Sequence, residues 1–529
     1  MKSLQGRSVL VLGLGLSGLA MARWCARHGA RVTVWDSRAE PPQAAALAAD
    51  CPGAVLRTGA ALGAEALEDV HWLLKSPGLF PHDPAIAPLL QAAQARGVRC
   101  GGELDLFTSA LAELKADTGY APQVLAVTGT NGKTTTTALT ALLVERSGRS
   151  VLAAGNIGPT MVDSLAQQLD AGTLPQVWVL ELSSFQLQDA GGFEPDAAVV
   201  LNLTQDHLDW HGSMAAYGQA KARIYGPPGA RTVAIVNRDD AQVQAMAAAL
   251  VGAPAPGPVK AARGAARLLP REVVRFGLGA PQAPGDFGLV VEGGMAWLVR
   301  ALPDEEPSAR RRRGGAGAEE PAEVHLQRLM PADALRLRGR HNASNALAAL
   351  ALATAIGCPL APMLHGLREY RGEPHRVEPV GSVGAVEAFD DSKGTNVGAT
   401  VAALEGLGAD KAPGRLAIIL GGDGKGQDFA PLAAPVARHA RAVALIGRDA
   451  AAIEATLQAD PDAAAVPRAR HATLPDAVAW CFDQARDGDA VLLSPACASL
   501  DMFRNYGHRA EVFVAAVRAL AAERGEVLA

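Results

Sequence analysis

The stretch that most constrains this chain is Val124-Leu-Ala-Val-Thr-Gly-Thr-Asn-Gly-Lys-Thr-Thr-Thr136. Val124 to Val127 read as a buried strand. A glycine-bracketed turn follows, and Lys133 and Thr134 open a helical run that continues through Ala141 to Val144. Strand, tight loop and helix in that order bring backbone N–H groups and the positive end of a helix to one point. Gly129 and Gly132 let the loop Gly129-Thr130-Asn131-Gly132 turn its N–H groups inward around phosphate oxygens. Lys133 is placed to neutralise the outer phosphates, and the Thr134 hydroxyl, followed by Thr135, to hold Mg2+. The common form of the motif has a glycine where Val127 stands. A plain glycine turn before a helix would share the spacing, but Gly-Lys-Thr directly after a strand points to a nucleotide phosphate.

At 529 residues the chain is too long for one core, and about three domains are expected. Asp and Glu number 54 against 49 Lys and Arg, so nucleic acid is not expected as a bulk electrostatic partner. Six scattered cysteines without a Cys-x-x-Cys pair argue for a reducing compartment and against a structural zinc. The apolar start Val9–Leu16 is short and broken by glycine. It is expected to be a first strand, not a signal peptide or membrane span, and the protein to be cytoplasmic with no membrane partner.

That first strand runs into Gly13-x-Gly15-x-x-Gly18, and a second, Arg31–Trp35, ends in Asp36. Together they form a dinucleotide fingerprint, which by itself says NAD and an oxidoreductase. A third strand, His71–Lys75, leads into Ser76-Pro-Gly78. The first domain is placed at 1–112, with a polar linker over Lys115–Gln123. The second, 119–372, has strands at Val151–Ala154, Val177–Leu180 and Ala197–Asn202. The middle one ends at Glu181, where an acid beside a phosphate loop reaches the Mg2+ of a bound nucleotide. His207 follows the last strand, and Lys221 lies on the helix after it. By themselves a polar loop histidine and a solvated lysine explain these two. About 255–330 is read as a low-complexity insertion containing a hairpin, Asp286–Val299, that turns at Gly293-Gly294; the run Arg310–Arg313 is read as a solvated loop. The third domain, 373–529, alternates helices with strands at Ala385–Phe389, Leu416–Leu420, Ala442–Ile446 and Asp489–Leu493. Three of these strands run into loops of the ligand-binding kind.

Thr128-Gly-Thr-Asn-Gly-Lys-Thr134, Gly155-Asn-Ile-Gly158, Glu181-Leu-Ser-Ser-Phe-Gln-Leu187, Asp206-His207, His341-Asn-Ala-Ser-Asn345 and His375-Arg376 resemble the motifs of the Mur ligases, ATP-dependent amino-acid ligases of peptidoglycan synthesis. Asp391–Asn396, Gly422–Lys425 and Leu493–Asp501 look like those of the D-glutamate-adding member. Sibling ligases and folylpolyglutamate synthases should differ in these last loops. The resemblance implies an α/β fold of three domains: a Rossmann-like UDP-binding unit, a central ATPase-type, mostly parallel sheet, and a doubly wound Rossmann-like unit. The substrates it implies are ATP, UDP-N-acetylmuramoyl-L-alanine and D-glutamate, joined by a monomer through an acyl phosphate. Leu16, Ser17, Asp36, Ser37, Arg38, Gly78 and Asn156 would surround the UDP substrate, which rereads the glycine fingerprint. ATP would meet Gly129–Thr135 and Asn342, Asn345, Arg376 and Asp391. Thr134 and Glu181 would hold one Mg2+, and His207 with a carbamylated Lys221 a second. The catalytic set is then Lys133, Glu181, His207 and Lys221. D-Glutamate would lie against Lys393, Thr395, Lys425, Ser499 and Tyr506. Three positions depart from the family pattern: Gln205 where an acid is usual, Trp210-His211 where Arg-Tyr is frequent, and Tyr506 in place of Phe.

Overall fold

A computed structural model describes residues 2–251, 271–303, 324–337 and 339–526. Three parallel or mostly parallel sheets succeed one another along the chain. The first comprises β1 (Ser8–Leu12), β2 (Arg31–Asp36), β3 (Val55–Thr58), β4 (Val70–Lys75) and β5 (Arg99–Gly101), all parallel, in the order β3-β2-β1-β4-β5. The order reverses beside β1, so the loops after β1 and β4 face a common crevice at the carboxyl edge.

The helix Glu103–Thr118 leads to the second sheet, its last turn lying where a linker was expected and its end capped by Gly119 in left-handed backbone. The strands are β6 (Gln123–Thr128), β7 (Val151–Gly155), β8 (Val177–Glu181), β9 (Ala197–Val200), β10 (Val233–Asn237) and β11 (Val273–Phe276), ordered β11-β10-β9-β6-β8-β7 and parallel throughout. Their runs of Val, Leu and Ala without alternation are those of strands covered on both faces. One face packs on the alanine-rich helix Arg340–Ala355, eleven of whose residues are buried. The other shares a continuous apolar core with the first sheet's helices.

The segment read as a low-complexity insertion is largely ordered where it is described. β11 extends the central sheet, and β12 (Phe287–Glu292), β13 (Met295–Pro303) and β14 (Val324–Pro331) form a small antiparallel sheet. The expected hairpin is present, with Glu292 opposite Met295 and both turn glycines at positive φ. Proline and glycine between its strands hid the rest. Arg310–Arg313 lie outside the described residues.

The third sheet holds β15 (Glu378–Val383), β16 (Val386–Asp390), β17 (Leu416–Gly421), β18 (Ala440–Ile446), β19 (Arg468–Arg470) and β20 (Ala490–Leu493), ordered β15-β16-β20-β17-β18-β19. β15 pairs antiparallel with β16; the others are parallel, with an apolar cluster on either face. Among the described residues no helix is long and apolar enough to cross a membrane.

Candidate active site

The phosphate loop follows β6, and the helix Lys133–Arg146 starts from Gly132 in left-handed backbone, φ 81°. A Cβ at Gly132 would lie 2.5 Å from Asn345 Oδ1, so the loop and the head of the helix Arg340–Ala355 meet closely there. Asn345 Nδ2 in turn donates to Asn342 Oδ1 at 3.2 Å, which aligns both predicted asparagines along the loop. Lys133 Nζ donates to the carbonyls of Gly129 and Thr130 at 2.9 and 2.8 Å. Burial lowers its pKa, opposed by the charges of Glu181 and Asp206.

Glu181, at the tip of β8, is buried. One oxygen accepts from Asn156 Nδ2 at 2.8 Å, while the other has no partner among the described residues. An unsatisfied buried carboxylate oxygen is the kind of donor that a hard divalent cation takes. Asn156 thus stands against Glu181 in the central unit.

Lys221 lies on the helix Met214–Ala222, which is capped by Ser213. Its Nζ is buried, 2.9 Å from the Gly129 carbonyl and 3.3 Å from Thr128 Oγ1. Burial first, and the Lys133 charge second, hold its pKa well below the ordinary lysine value. His207 occupies left-handed backbone at φ 53°, with Nε2 3.6 Å from Asp206 and its ring 4.7 Å from that of Phe185; burial lowers its pKa too. Trp210 and His211, which replace the usual Arg-Tyr, pack on the same Phe185 ring.

The third unit closes onto this loop. Asn131 and Asn396 exchange two amide hydrogen bonds at 3.1 and 2.9 Å, and Arg376 Nη2 lies 2.5 Å from Thr134 Oγ1. Gln205 Oε1 accepts from Asp428 N–H at 3.4 Å, so that departure from the family acid serves a neutral contact between units. Asp391 is buried against Ser494 Oγ at 2.6 Å, and burial pushes its pKa up to about 7. Asn131, Thr135, Asn342, Arg376, Asp391 and Lys393 line one cleft between the central and third units.

Lys393 Nζ lies 4.0 Å over the Tyr506 ring, and burial, with the Arg376 charge next, lowers its pKa to about 8. Lys425 is exposed on a left-handed turn, φ 52°, yet its charge acts on both Lys393 and His207. Ser499 is buried at the end of the β20 loop and Thr395 half-buried beside Asn396. Sequence reasoning gave Asn396 no role of its own. Its only signal was its place at the end of the Asp391–Asn396 motif, where it also caps the helix Val397–Lys411.

In the first unit, Leu16, Ser17, Asp36, Ser37, Arg38 and Gly78 stand at the carboxyl ends of the neighbouring strands β1, β2 and β4. A Cβ at Gly18 would lie 1.8 Å from the Gly13 carbonyl, so only glycine allows this loop. Asp36 accepts from Leu14 N–H at 2.7 Å and from the Arg38 guanidinium, which holds its pKa down at about 2. Both of its oxygens are thereby committed to shaping the loop.

Family models match three stretches of the chain: the Mur ligase MurD-like N-terminal domain over residues 7–102, the Mur ligase middle domain over 127–256 and the Mur ligase glutamate ligase domain over 375–497. The UDP-N-acetylmuramoylalanine–D-glutamate ligase of Albidiferax ferrireducens is 59% identical over 526 residues, 99% of this chain and 98% of that protein. The chain belongs to the Mur ligase family. The enzyme of the same name from Burkholderia mallei is 56% identical over 98% of both chains. Solved structures share the fold at low identity. The MurF ligase of Thermotoga maritima in complex with ADP has a TM-score of 0.55 at 15% identity, covering 99% of this Mur ligase and 100% of that chain. The UDP-N-acetylmuramate–alanine ligase of the same organism has 0.52 at 18%, covering 97% and 99%.

Proposed function

We propose that this Mur ligase joins the amine of D-glutamate to the alanyl carboxylate of UDP-N-acetylmuramoyl-L-alanine, with conversion of ATP to ADP and phosphate. The observation that carries this reading is the likeness, above half identity and over nearly the whole length, to ligases of that name. On this reading residues 1–112 hold the UDP substrate, 119–372 the ATP and 373–529 the amino acid, in a cytoplasmic monomer.

A carboxylate does not react with an amine at neutral pH, because its oxygen is a poor leaving group. Phosphorylation by ATP gives an acyl phosphate. The free amine of D-glutamate attacks its carbonyl carbon, and the tetrahedral intermediate collapses with loss of phosphate. Both steps gather negative charge on oxygen, so fixed cations set the rate. Lys133 and Arg376 converge on the phosphate loop and serve the transferred phosphoryl group. Gly129 to Thr135 cradle the phosphates, with Asn342, Asn345 and Asp391 completing the ATP cleft. Thr134 and Glu181 suit one Mg2+, which when bound draws charge off the phosphoryl oxygens.

Lys221 and His207 are the proposed ligands of a second ion. An ammonium has no lone pair to give. The lowered pKa of Lys221 leaves its amine free to combine with CO2, forming the N–C bond of a carbamate and releasing a proton. The product offers the oxygen donors that Mg2+ takes. The UDP substrate meets Leu16, Ser17, Asp36, Ser37, Arg38, Gly78 and Asn156, the last also donating to Glu181. Lys393, Thr395, Lys425, Ser499 and Tyr506 receive the two carboxylates of D-glutamate.

The test is phosphate release with UDP-N-acetylmuramoyl-L-alanine, ATP and a panel of amino acids. Turnover with D-glutamate alone is expected. A preference for another amino acid would move the chain to a sibling activity.

A further inference from the structure

Arg376 reaches the phosphate loop from a turn that ordinary residues do not adopt freely. His375 and Val377, on either side of it, both lie in left-handed backbone, at φ 64° and 51°. Val377 is β-branched, so its conformation is strained and persists only where the surroundings hold it. Part of that hold comes from the Val377 N–H on Asp391, and part from His375. Its N–H donates to the Glu378 carboxylate at 2.8 Å, its carbonyl accepts from Lys393 N–H at 3.2 Å, and its ring Nδ1 lies 2.7 Å from an Asp390 carboxylate oxygen. Asp390 is itself buried and fixed, its other oxygen accepting from Ser392 N–H at 2.9 Å and Ser392 Oγ at 2.6 Å. The Tyr506 ring closes the remaining side at 6.1 Å.

The ligand atoms of His375, Glu378 and Asp390 lie within 4.8 Å of one another, a grouping that could be taken for a cation site. The 2.7 Å between Nδ1 and the carboxylate oxygen is a hydrogen-bond length, so these two groups already satisfy each other. The trio is wired as a clamp on the backbone.

We propose that His375, braced by Asp390 and Glu378, is a positioning residue that locks the 375–377 turn so that Arg376 is delivered across the unit junction to the phosphate site. The inference rests on the phosphate-loop reading above. An arginine side chain has many rotamers, and a relaxed turn would spread the guanidinium over them. A locked turn fixes the direction in which the side chain leaves the backbone and so favours the approach that ends 2.5 Å from Thr134 Oγ1.

The test is a double-mutant cycle on binding of the β,γ-imido analogue of ATP with Mg2+, measured by calorimetry on the full chain. Arg376→Ala and His375→Leu should each weaken binding tenfold or more. The double variant should be no weaker than Arg376→Ala within about twofold, because residues acting as one unit are not additive. His375→Asn tolerates left-handed backbone and keeps a donor for Asp390, and should recover most of the affinity. If His375→Leu does not fold, Glu378→Gln at the exposed edge of the turn replaces it in the cycle, with the same non-additivity expected. Losses that multiply, an unaffected His375→Leu, or an asparagine variant as weak as the leucine one would overturn the clamp alone. Wild-type binding that ignores Lys133→Ala would overturn the phosphate-loop reading and the clamp with it.

Discussion

Two lysines of the central unit reach the Gly129 carbonyl, Lys221 buried and Lys133 half-buried, and their roles differ because their surroundings do. Lys133 keeps two carbonyl acceptors of its own loop and faces Glu181, whereas Lys221 feels burial and the repulsion of Lys133. Lys133→Ala is expected to reduce turnover at least a hundredfold with the fold intact, since the missing charge matters most at the transition state. Near-normal turnover with unchanged circular dichroism would sink the assignment. Lys221→Ala should be nearly inactive and partly rescued by added acetate or formate, which supply oxygen donors; Lys221→Arg should not respond. Insensitivity of the wild type to bicarbonate depletion, measured beside these variants, would remove the carbamate. Lys133 was legible from the strand, glycine loop and helix themselves, Lys221 only from the company of the other motifs. The lowered pKa of Lys221 could not be read from its position, because burial depends on how β6 and the helix Met214–Ala222 stack.

At the scale of elements, the helix Glu103–Thr118 joins the first unit to the second through a buried acid. Glu103 accepts from Val162 N–H at 3.2 Å at the head of the helix Met161–Ala171, and burial raises its pKa to about 7. The sign follows directly. The folded state holds a proton that the unfolded chain has released, so stability falls as pH rises from the ordinary carboxyl range to about 7. Glu103→Gln lacks this loss, and its stability advantage should widen by about 2 kcal/mol between pH 5.5 and 8.5 in denaturant titrations. A gap independent of pH would mean the carboxyl is already ionised. A second test concerns β13 and β14, whose register ends at Pro303 opposite Val324. Joining them by Asn-Gly in place of 304–323 should leave Tm and kcat unchanged, because a two-residue turn suits that register. A fall of several degrees would assign this stretch a packing role. Long strands such as β6, β8 and β17 were legible because they are unbroken apolar runs between glycine turns. β3, β5 and β19 have three or four residues with exposed or charged members, and β15 begins with Glu378-Pro379, so periodicity carried no signal for them.

At the scale of the molecule, the order of motifs along the chain foretold three α/β units and a shared cleft but could not say which groups meet. Asn131 with Asn396, and Thr134 with Arg376, are 265 and 242 residues apart, and only the docking of the third unit pairs them. The residues proposed for D-glutamate stand on the third unit's own loops, after β16, β17 and β20. D-Glutamate carries two carboxylates and one amine, so its pocket must offer cations while leaving the amine free to attack. Lys393 is pinned over Tyr506, whereas Lys425 is exposed and projects its charge toward Lys393 and His207. Lys425 is therefore the cation whose loss disturbs the fold least. Lys425→Ala should raise the KM for D-glutamate roughly ten- to a hundredfold, the range of one charge-assisted hydrogen bond, and the KM for ATP little. L-Glutamate should be a poor substrate, because inversion at the α-carbon cannot keep both carboxylates and the amine in place at once. Initial-rate kinetics with the three substrates varied in turn decide the matter. An unchanged KM for D-glutamate in Lys425→Ala would remove that lysine from the pocket, and comparable turnover with L-glutamate would remove the stereochemical argument.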